Sequence, residues 1–368
     1  MKFLLPIIKI ILLFTIFFIS GCFHIGPTMM QSERIKYNVA IQNTDNQEIL
    51  LNLVRLRYVD VPQVLHVSNI NSQLKVGADF SSSVTITEGP SPPWIGDVFN
   101  FNLLPSYEDS PTITYTPLQG DKFVKNVLSQ VKDDVILLLF NSGWSVARIF
   151  RLCVQRINDI PNAPSASGPT PKRKPEYENF DKLVNLMRKL QLKNAMFIGY
   201  KFHNEEPVLV MKFAKKALDW YETREIVKIL QLTPGKTTYP IMLNAIDHNP
   251  DYINLQTRSL IGIFFYLSHA VDVPDDDIKN GRVTLTTQDE TGTPFDWTEV
   301  LGKVLVIKSD SRKPSDAYVS IRYRGNWFYI DDTDLSSKAT FSLLSQIFAI
   351  QAGQIVIDKP TLTLPIGR

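Results

Sequence analysis

Residues 70–87, INSQLKVGADFSSSVTIT, alternate between apolar and polar side chains over a long stretch. The odd positions carry mainly Asn, Gln, Lys, Asp, Ser and Thr. The even positions carry most of the apolar residues, which include Ile70, Leu74, Val76, Phe80 and Val84. Because successive side chains of a β-strand lie on opposite faces, this pattern predicts one long strand with an apolar and a polar face.

A second alternating segment follows the turn-rich residues 88–93, and its apolar residues fall on odd positions. Pro105 and Pro111 interrupt this segment, so we expect an edge strand or two shorter strands around residues 106–111. The two segments together predict a β-hairpin about 15 to 18 residues tall. The apolar face of this hairpin comprises Ile70, Leu74, Val76, Phe80, Val84, Phe99, Phe101 and Leu103.

Apolar residues at helical spacing predict helices on both sides of the hairpin. Before it we expect a short helix at 32–41 and a second at 48–58, with Thr44 to Gln47 as a capping box. After it we expect helices at 120–131 and 133–157. Cys153 shares the apolar face of the last helix, which favours a buried small residue over a reactive thiol.

The C-terminal half combines helices with antiparallel strands. Two strand pairs are predicted, at 196–202 with 208–213 and at 318–323 with 327–330, the latter around the turn 324–326. The predicted helices are 176–190, 215–230, 255–271 and a last one that begins at Asp334 or Ser336 and ends near Gly353. The fold class is therefore predicted to be α+β, with a long amphipathic β-hairpin in the N-terminal part and a mixed, antiparallel C-terminal part.

Five prolines with small and basic residues occupy Pro161 to Pro175, a composition typical of an extended, solvated linker. A long surface loop within one domain is the alternative. The linker interpretation divides the chain into a signal peptide at 1–21, an N-terminal helix and β-hairpin domain at 22–160, the linker at 161–175 and a C-terminal α+β domain at 176–368.

The N-terminus reads MKFLLPIIKIILLFTIFFISGC, a positive segment followed by an apolar core too short to span a membrane, as in signal peptides. Its end, Ile19-Ser-Gly-Cys22, resembles the lipobox of bacterial lipoproteins. The resemblance implies cleavage between Gly21 and Cys22 and acylation of Cys22, including palmitate. Phe23, rather than Asp, after the cysteine points to the outer membrane in that class, with the protein facing the periplasm.

The charge balance argues against a nucleic-acid partner. The chain has 39 Lys and Arg against 37 Asp and Glu, and removal of Lys2 and Lys9 with the signal leaves 37 against 37. A neutral mature chain lacks the positive surface on which nucleic-acid binding depends.

No motif for catalysis or for cofactor binding has its full spacing. Pro234 to Thr238 resembles the end of a phosphate-binding loop, but Leu230 replaces the required glycine. Asn141 to Trp144 lies within a helical pattern, which is wrong for an exposed nucleophile. We therefore predict no catalytic residue and no cofactor.

No metal site is predicted either. The histidines of the mature chain lack metal-ligand spacing, and His269 is expected at a helix C-terminus that favours positive charge. The acidic clusters 275–277 and 331–334 are expected to cap helices, with a weak divalent-cation site as the alternative. Lys172 to Lys174 is expected to be solvated, and contact with an anionic lipid surface is its alternative.

What covers the apolar face of the hairpin determines the functional hypothesis. It either packs on the helices 48–58 and 133–157, exchanges strands with a second copy, or joins a barrel shared by several copies. The last plan resembles outer-membrane export channels in which each subunit lends a few strands.

The leading hypothesis is a non-enzymatic, lipid-anchored envelope protein with a structural or docking role. Its partners are the membrane, through the acyl chains, and further copies or another envelope protein. The alternatives are a subunit of an oligomeric outer-membrane pore and an enzyme acting on cell wall or lipid.

Overall fold

The computed structural model describes residues 25–62, 65–85, 98–117, 121–203, 206–245, 249–288 and 292–353. Contacts between residues divide the chain into two units, a smaller one at 64–118 and a larger one formed by the rest. The fold class is α+β, as predicted. The predicted cleavage and lipidation residues Gly21 and Cys22, and also His24 and His248, lie outside the described residues.

The smaller unit is the predicted β-hairpin. Its strands are β1 (Leu65–Thr85) and β2 (Val98–Pro117), paired antiparallel along their length. Pro105 and Pro111 pair within one continuous strand, opposite Ala78 and Ser72, so the expected edge strand is confirmed and the alternative of two shorter strands is wrong. Each strand of a two-stranded sheet is an edge strand, which tolerates proline because one side needs no N–H donors.

The larger unit contains most of the helices and two further sheets. Its helices are α1 (Ile25–Arg57), α2 (Asp121–Leu128), α3 (Asp133–Asn141), α4 (Val146–Cys153), α5 (Glu178–Leu192), α6 (Tyr221–Ile229), α7 (Leu260–Ser268), α8 (Asp275–Lys279), α9 (Thr298–Leu301) and α10 (Leu335–Gly353). Its strands are β3 (Val154–Ile157), β4 (Ile160–Pro161), β5 (Met196–His203), β6 (Glu206–Phe213), β7 (Thr238–Leu243), β8 (Ile253–Thr257), β9 (Lys308–Asp310), β10 (Ala317–Tyr323) and β11 (Asn326–Asp331).

One sheet has the strand order β4-β3-β8-β7-β6-β5, and only β7 and β8 are parallel. The other is antiparallel in the order β10-β11-β9. A continuous core of buried apolar side chains runs from α1 through these sheets to α10. The predicted hairpins β5–β6 and β10–β11 are confirmed, the second closing through positive φ angles at Arg324 and Gly325.

The N-terminal helices predicted at 32–41 and 48–58 are one continuous helix, α1. Thr44 does not cap a helix, because its hydroxyl donates to the Ala40 carbonyl within the helix, with the oxygens 2.8 Å apart. No glycine or proline occurs from Thr28 to Arg57 to end the helix earlier. The apolar residues at the end of α1 pack against α7 and β10.

The long helix predicted at 133–157 is wrong at two points. Gly143 adopts a φ of +87° in the turn between α3 and α4, so residues 142–145 are not helical. Residues 154–157 form β3 because they pair with β8, and β8 likewise takes the first residues of the helix predicted at 255–271. Pairing between distant strands overrides the local helical spacing in both places.

The Pro161–Pro175 segment is not a solvated linker over its whole length, and the structure divides the chain elsewhere. Ala163 and Ala166 are fully buried, and β4 joins the six-stranded sheet. Arg258, also fully buried, donates to the carbonyls of residues 151, 152, 154 and 162 and to the Ser167 hydroxyl. The first part of the segment therefore contacts the rest of the protein, whereas its composition predicted contact with water.

Smaller corrections concern helix ends. The segment predicted as helix at 215–230 contains a short 3-10 turn at Lys215–Ala217 and then α6. Asp334 caps the N-terminus of α10, as predicted, because its Oδ1 accepts hydrogen bonds from the backbone N–H groups of Ser336 and Ser337. Among the residues that the structure describes, no helix has the length and apolar character needed to cross a membrane.

Candidate functional site

The register of the hairpin brings the two predicted apolar sets onto one face. From Asn69 to Thr85, each even position of β1 pairs with an odd position of β2. Residues paired across antiparallel strands lie on the same face, so this register unites the apolar positions. The pairs include Ile70 with Ile113, Val76 with Tyr107, Phe80 with Leu103, Ser82 with Phe101 and Val84 with Phe99.

A shift in register between Val67 and Asn69 keeps the apolar face continuous to the base of the hairpin. Leu65 and Val67 occupy odd positions, whereas the apolar positions beyond Asn69 are even. The extra residue of a β-bulge changes which positions share a face. Val67 therefore pairs with Tyr115 on the same face as Ile70 and Ile113.

The apolar face has one charged position, Asp109, which pairs with Leu74. From Val76 to Val84, and on the paired stretch from Phe99 to Tyr107, this face carries no charge. A tilted strand crosses a bilayer in about 9–11 residues, a length that each of these stretches reaches. The opposite face is rich in Ser, Thr and Asn and pairs Lys75 with Glu108.

The end of α1, which precedes the hairpin in sequence, is fixed within the larger unit. Tyr58 is buried and donates to the Oδ2 of Asp277 at 2.6 Å, and Asp277 also pairs with Arg282. Asp60 accepts hydrogen bonds from the Tyr323 hydroxyl and the Arg324 guanidinium. Burial and the Asp277 carboxylate raise the pKa of Tyr58 above its ordinary value.

A cavity of about 500 Å³ lies beside this helix end within the larger unit. Its inner residues come from distant parts of the sequence, and each is less than a tenth exposed. They include Arg57, His269, Phe295, Trp297, Leu301 and Leu305. Its exposed residues include Asp272, Asp275, Asp296 and Lys308.

His269 is the polar residue that distinguishes this cavity. It is 5% exposed, stacks on Trp297 with ring centroids 4.1 Å apart, and neither ring nitrogen has a hydrogen-bond partner within the described chain. Burial, with a smaller effect of the nearby Arg57, lowers the pKa of His269 to about 3. His269 does follow the C-terminus of α7, as predicted, but it is neutral there, which corrects the expectation of positive charge.

Arg57 is the second buried polar residue of the cavity. Its Nη1 donates to the Thr284 carbonyl at 3.0 Å, whereas its Nε has no partner. No carboxylate within the described ranges lies at ion-pair distance from it. Burial lowers the pKa of this guanidinium.

The remaining residues singled out by the sequence have structural roles. Gly235 lies in a turn at a φ of +81°, and Lys236 pairs with Asp251. Asp275 to Asp277 form the first turn of α8, as expected. Asp331 accepts hydrogen bonds from Thr333 and pairs with Lys308, and no metal-binding group of His, Cys, Asp and Glu occurs in the part of the chain that the structure describes.

Two further predictions concern Cys153 and the basic residues 172–174. Cys153 is fully buried, as predicted, and burial raises the pKa of its thiol to about 12. The side chains of the basic segment are exposed, as predicted, but its backbone is paired. Lys172 and Lys174 exchange backbone hydrogen bonds with Thr287, and the Lys174 ammonium pairs with Glu178.

Sequence reasoning missed Arg57, Trp297 and the cavity they line. No local pattern marks them, because the residues that meet there are more than two hundred positions apart. No family model matches the chain, and neither a curated protein nor a solved structure is significantly similar to it.

Proposed function

We propose that this chain is a non-enzymatic, lipid-anchored protein of the cell envelope whose copies assemble through the hairpin. Each copy contributes β1 and β2 to a shared antiparallel sheet that closes into a barrel across the outer membrane. The assembly is then an oligomeric pore. The observation that carries the proposal is the hairpin register, which unites apolar positions on one face and polar positions on the other.

Backbone chemistry requires several copies. A membrane offers no water to hydrogen-bond free N–H and C=O groups, so only helices and closed barrels span it. β1 and β2 form a two-stranded sheet, and the outer edge of each strand has no pairing within the described residues. Neighbouring copies supply the missing pairs when β2 of one copy lies beside β1 of the next.

The composition of the two faces supports the same assembly. Strands of membrane barrels alternate between apolar residues toward lipid and polar residues toward the interior. The stretch from Val76 to Val84 meets the first requirement. The Ser, Thr and Asn residues on the opposite face meet the second.

The helices expected to cover the hairpin have partners of their own. The end of α1 packs against α7 and β10, and α4 packs against α5 and α7. Their apolar residues Leu53, Val54, Ile149 and Phe150 are at most 1% exposed in the core of the larger unit. Elements of the larger unit thus account for the burial of these side chains.

Lipid anchoring rests on the lipobox-like sequence that ends at Cys22. Two or more acyl chains hold a protein stably at a membrane without a spanning helix. The test is labelling with palmitate of the full chain in a bacterial envelope, followed by separation of inner and outer membranes. We expect label in the outer-membrane fraction for the parent and none for Cys22→Ser, and equal labelling of the two chains would refute anchoring.

The assembly is tested by the size of the detergent-extracted protein and by dye release from liposomes. Phe80→Asp places a charge in the uncharged stretch and is expected to abolish oligomers and dye release. Ser81→Asp, on the neighbouring polar face, is the matched control and is expected to retain both. Unchanged oligomers in Phe80→Asp would overturn the shared barrel, and loss of the cooperative melt of the larger unit in Phe80→Asp would favour internal packing.

A further inference from the structure

Two buried polar groups without complete partners line one cavity of the larger unit. Neither ring nitrogen of His269 has a hydrogen-bond partner in the described chain, and the Nε of Arg57 has none. Both residues are at least nine-tenths buried and both line the 500 Å³ cavity. Unsatisfied buried polar atoms cost stability, so each one in a folded protein calls for an explanation. A bound ligand that supplies the missing partners is such an explanation.

The charges select the sign of the ligand. The Arg57 guanidinium is positive, and within the described residues no carboxylate neutralises it. His269 is neutral at physiological pH, and a neutral imidazole has one N–H donor. A carboxylate accepts hydrogen bonds from both types of donor, and such charge-assisted bonds are strong.

The rim of the cavity limits the ligand to a single negative charge. Asp272, Asp275 and Asp296 are exposed there, and Lys308 is paired with Asp331. Asp272 accepts a hydrogen bond from the Ser309 hydroxyl, and Asp296 accepts one from the Thr298 N–H. These carboxylates repel a ligand with several negative charges.

The wall of the cavity selects an apolar body. Phe295 and Trp297 meet edge to face, with ring centroids 5.4 Å apart, and His269 stacks on the same indole ring. Leu301 and Leu305 are also buried in the lining. Pockets for small molecules commonly have this volume, with mostly apolar walls and a few polar groups that orient the ligand.

We propose that the cavity binds a small organic acid with one carboxylate and a flat apolar body. The carboxylate accepts hydrogen bonds from the Arg57 guanidinium and the His269 ring N–H. The apolar body packs against the wall formed by Phe295 and Trp297. The site lies within the larger unit, so this inference is independent of assembly through the hairpin.

Three probes added to the full-length, detergent-solubilised chain separate the contributions of charge and apolar body. Phenylacetate has both, phenylacetamide has the apolar body without the charge, and inorganic phosphate has charge without the body. We expect phenylacetate to raise the melting temperature and to change the tryptophan fluorescence, because it binds the folded state beside Trp297. We expect phenylacetamide to bind about tenfold or more weakly, and phosphate to have no effect.

Two variants assign the effect to the cavity. His269→Phe retains the aromatic ring against Trp297 but removes both ring nitrogens, and it is expected to weaken phenylacetate binding about tenfold or more. Its melting temperature without ligand is expected to be equal to or above that of the parent. His203→Phe, on the edge strand β5 of the six-stranded sheet, is the matched control.

Arg57→Gln removes the charge and is expected to abolish the difference between phenylacetate and phenylacetamide. Absence of any phenylacetate effect on the parent would overturn the proposal. Equal effects of phosphate and phenylacetate would also overturn it, as would unchanged phenylacetate binding by His269→Phe. If Arg57→Gln does not fold, the His269→Phe result alone decides.

Discussion

The Nε of Arg258 donates a hydrogen bond to the Ser167 hydroxyl, with the two atoms 2.9 Å apart. The rest of the guanidinium donates to backbone carbonyls between residues 151 and 162, and its planar group lies 4.0 Å from the ring centroid of Tyr266. Burial lowers the pKa of Arg258 to about 10, so the residue remains charged near neutral pH. This one side chain holds the end of α4, the strand β3 and the first part of the proline-rich segment together.

We therefore expect Arg258→Met to destabilise the larger unit by at least about 3 kcal/mol, because several buried carbonyls lose a charged donor. Trypsin is expected to cut the parent slowly at residues 172–174 and to cut Arg258→Met quickly there. Urea unfolding and timed proteolysis measure the two effects. Arg224→Met, at an exposed position of α6, is the control and is expected to behave like the parent.

The proline-rich segment also shows where sequence reasoning reaches its limit. Its composition is that of a linker, and only the distant Arg258 and the sheet neighbour β3 determine that part of it is buried. The hairpin was predictable because its alternation is long and its two strands are neighbours in sequence. The alternation also requires the apolar positions of the two strands to share a face, but it does not choose between registers that differ by two residues.

Shorter elements were predicted less well for a related reason. Residues 154–157 fit a helix by spacing but become β3 through pairing with β8, about a hundred residues away. The cavity shows the same limit more strongly, since α1 supplies Arg57 and the C-terminal part of the chain supplies His269 and Trp297. Local sequence patterns contain no information about contacts between residues so far apart in sequence.

Tyr58→Phe tests how much the hydrogen bond at the end of α1 contributes to stability. The substitution keeps the buried ring and removes the donor to Asp277, which is left with Arg282. We expect a loss of about 1–3 kcal/mol in the free energy of unfolding, because a buried carboxylate loses one hydrogen bond. Tyr221→Phe, which removes an exposed hydroxyl, is expected to change it by less than about 0.5 kcal/mol. Urea titration measures the free energy of unfolding of both variants and of the parent. If Tyr58→Phe is as stable as the parent, the contact between Tyr58 and Asp277 is not important for the fold.

Cys153 provides a probe of global unfolding. In a Cys22→Ser chain it is the remaining thiol of the two in the sequence. Because the thiol is buried and its pKa is raised to about 12, iodoacetamide near neutral pH is expected to react only after unfolding. Mass spectrometry across a urea series measures the reaction. Ser311→Cys, at an exposed position, is the control that should react at once, and equally fast labelling of Cys153 without urea would contradict its burial.

The lowered pKa of His269 predicts acid sensitivity. The unfolded chain binds a proton at His269 below about pH 6.5, whereas the folded chain binds it only near pH 3. The free energy of unfolding is therefore unaffected by this titration above about pH 6.5 and decreases as the pH falls toward 3, by up to about 1.4 kcal/mol per pH unit. The melting temperature of His269→Phe should fall less than that of the parent over this pH range. Melting temperatures measured from neutral to acidic pH test this expectation. Parallel curves for the parent and His269→Phe would contradict the conclusion that His269 is buried and neutral.

The register of the hairpin is tested by introduced disulfides in the Cys22→Ser background. Ser81 and Asn102 are paired residues in β1 and β2, so Ser81→Cys with Asn102→Cys should form a bond within one chain under mild oxidation. Ser106 pairs with Gly77, which places it about 13 Å along the ribbon from Ser81. The pair Ser81→Cys with Ser106→Cys should therefore remain reduced, since bridged cysteines need Cα atoms within about 7 Å.

A third pair, Ser81→Cys with Asn100→Cys, makes the test specific for the register. A slip of two residues preserves the alternation of faces but brings Asn100 opposite Ser81 in place of Asn102. Mass spectrometry of the oxidised, dilute protein measures the yield of each bond. The highest yield for the Asn102 pair is expected. A higher yield for the Asn100 pair would show that Phe80 does not pair with Leu103. The residues of the uncharged stretch on which the barrel depends would then be different.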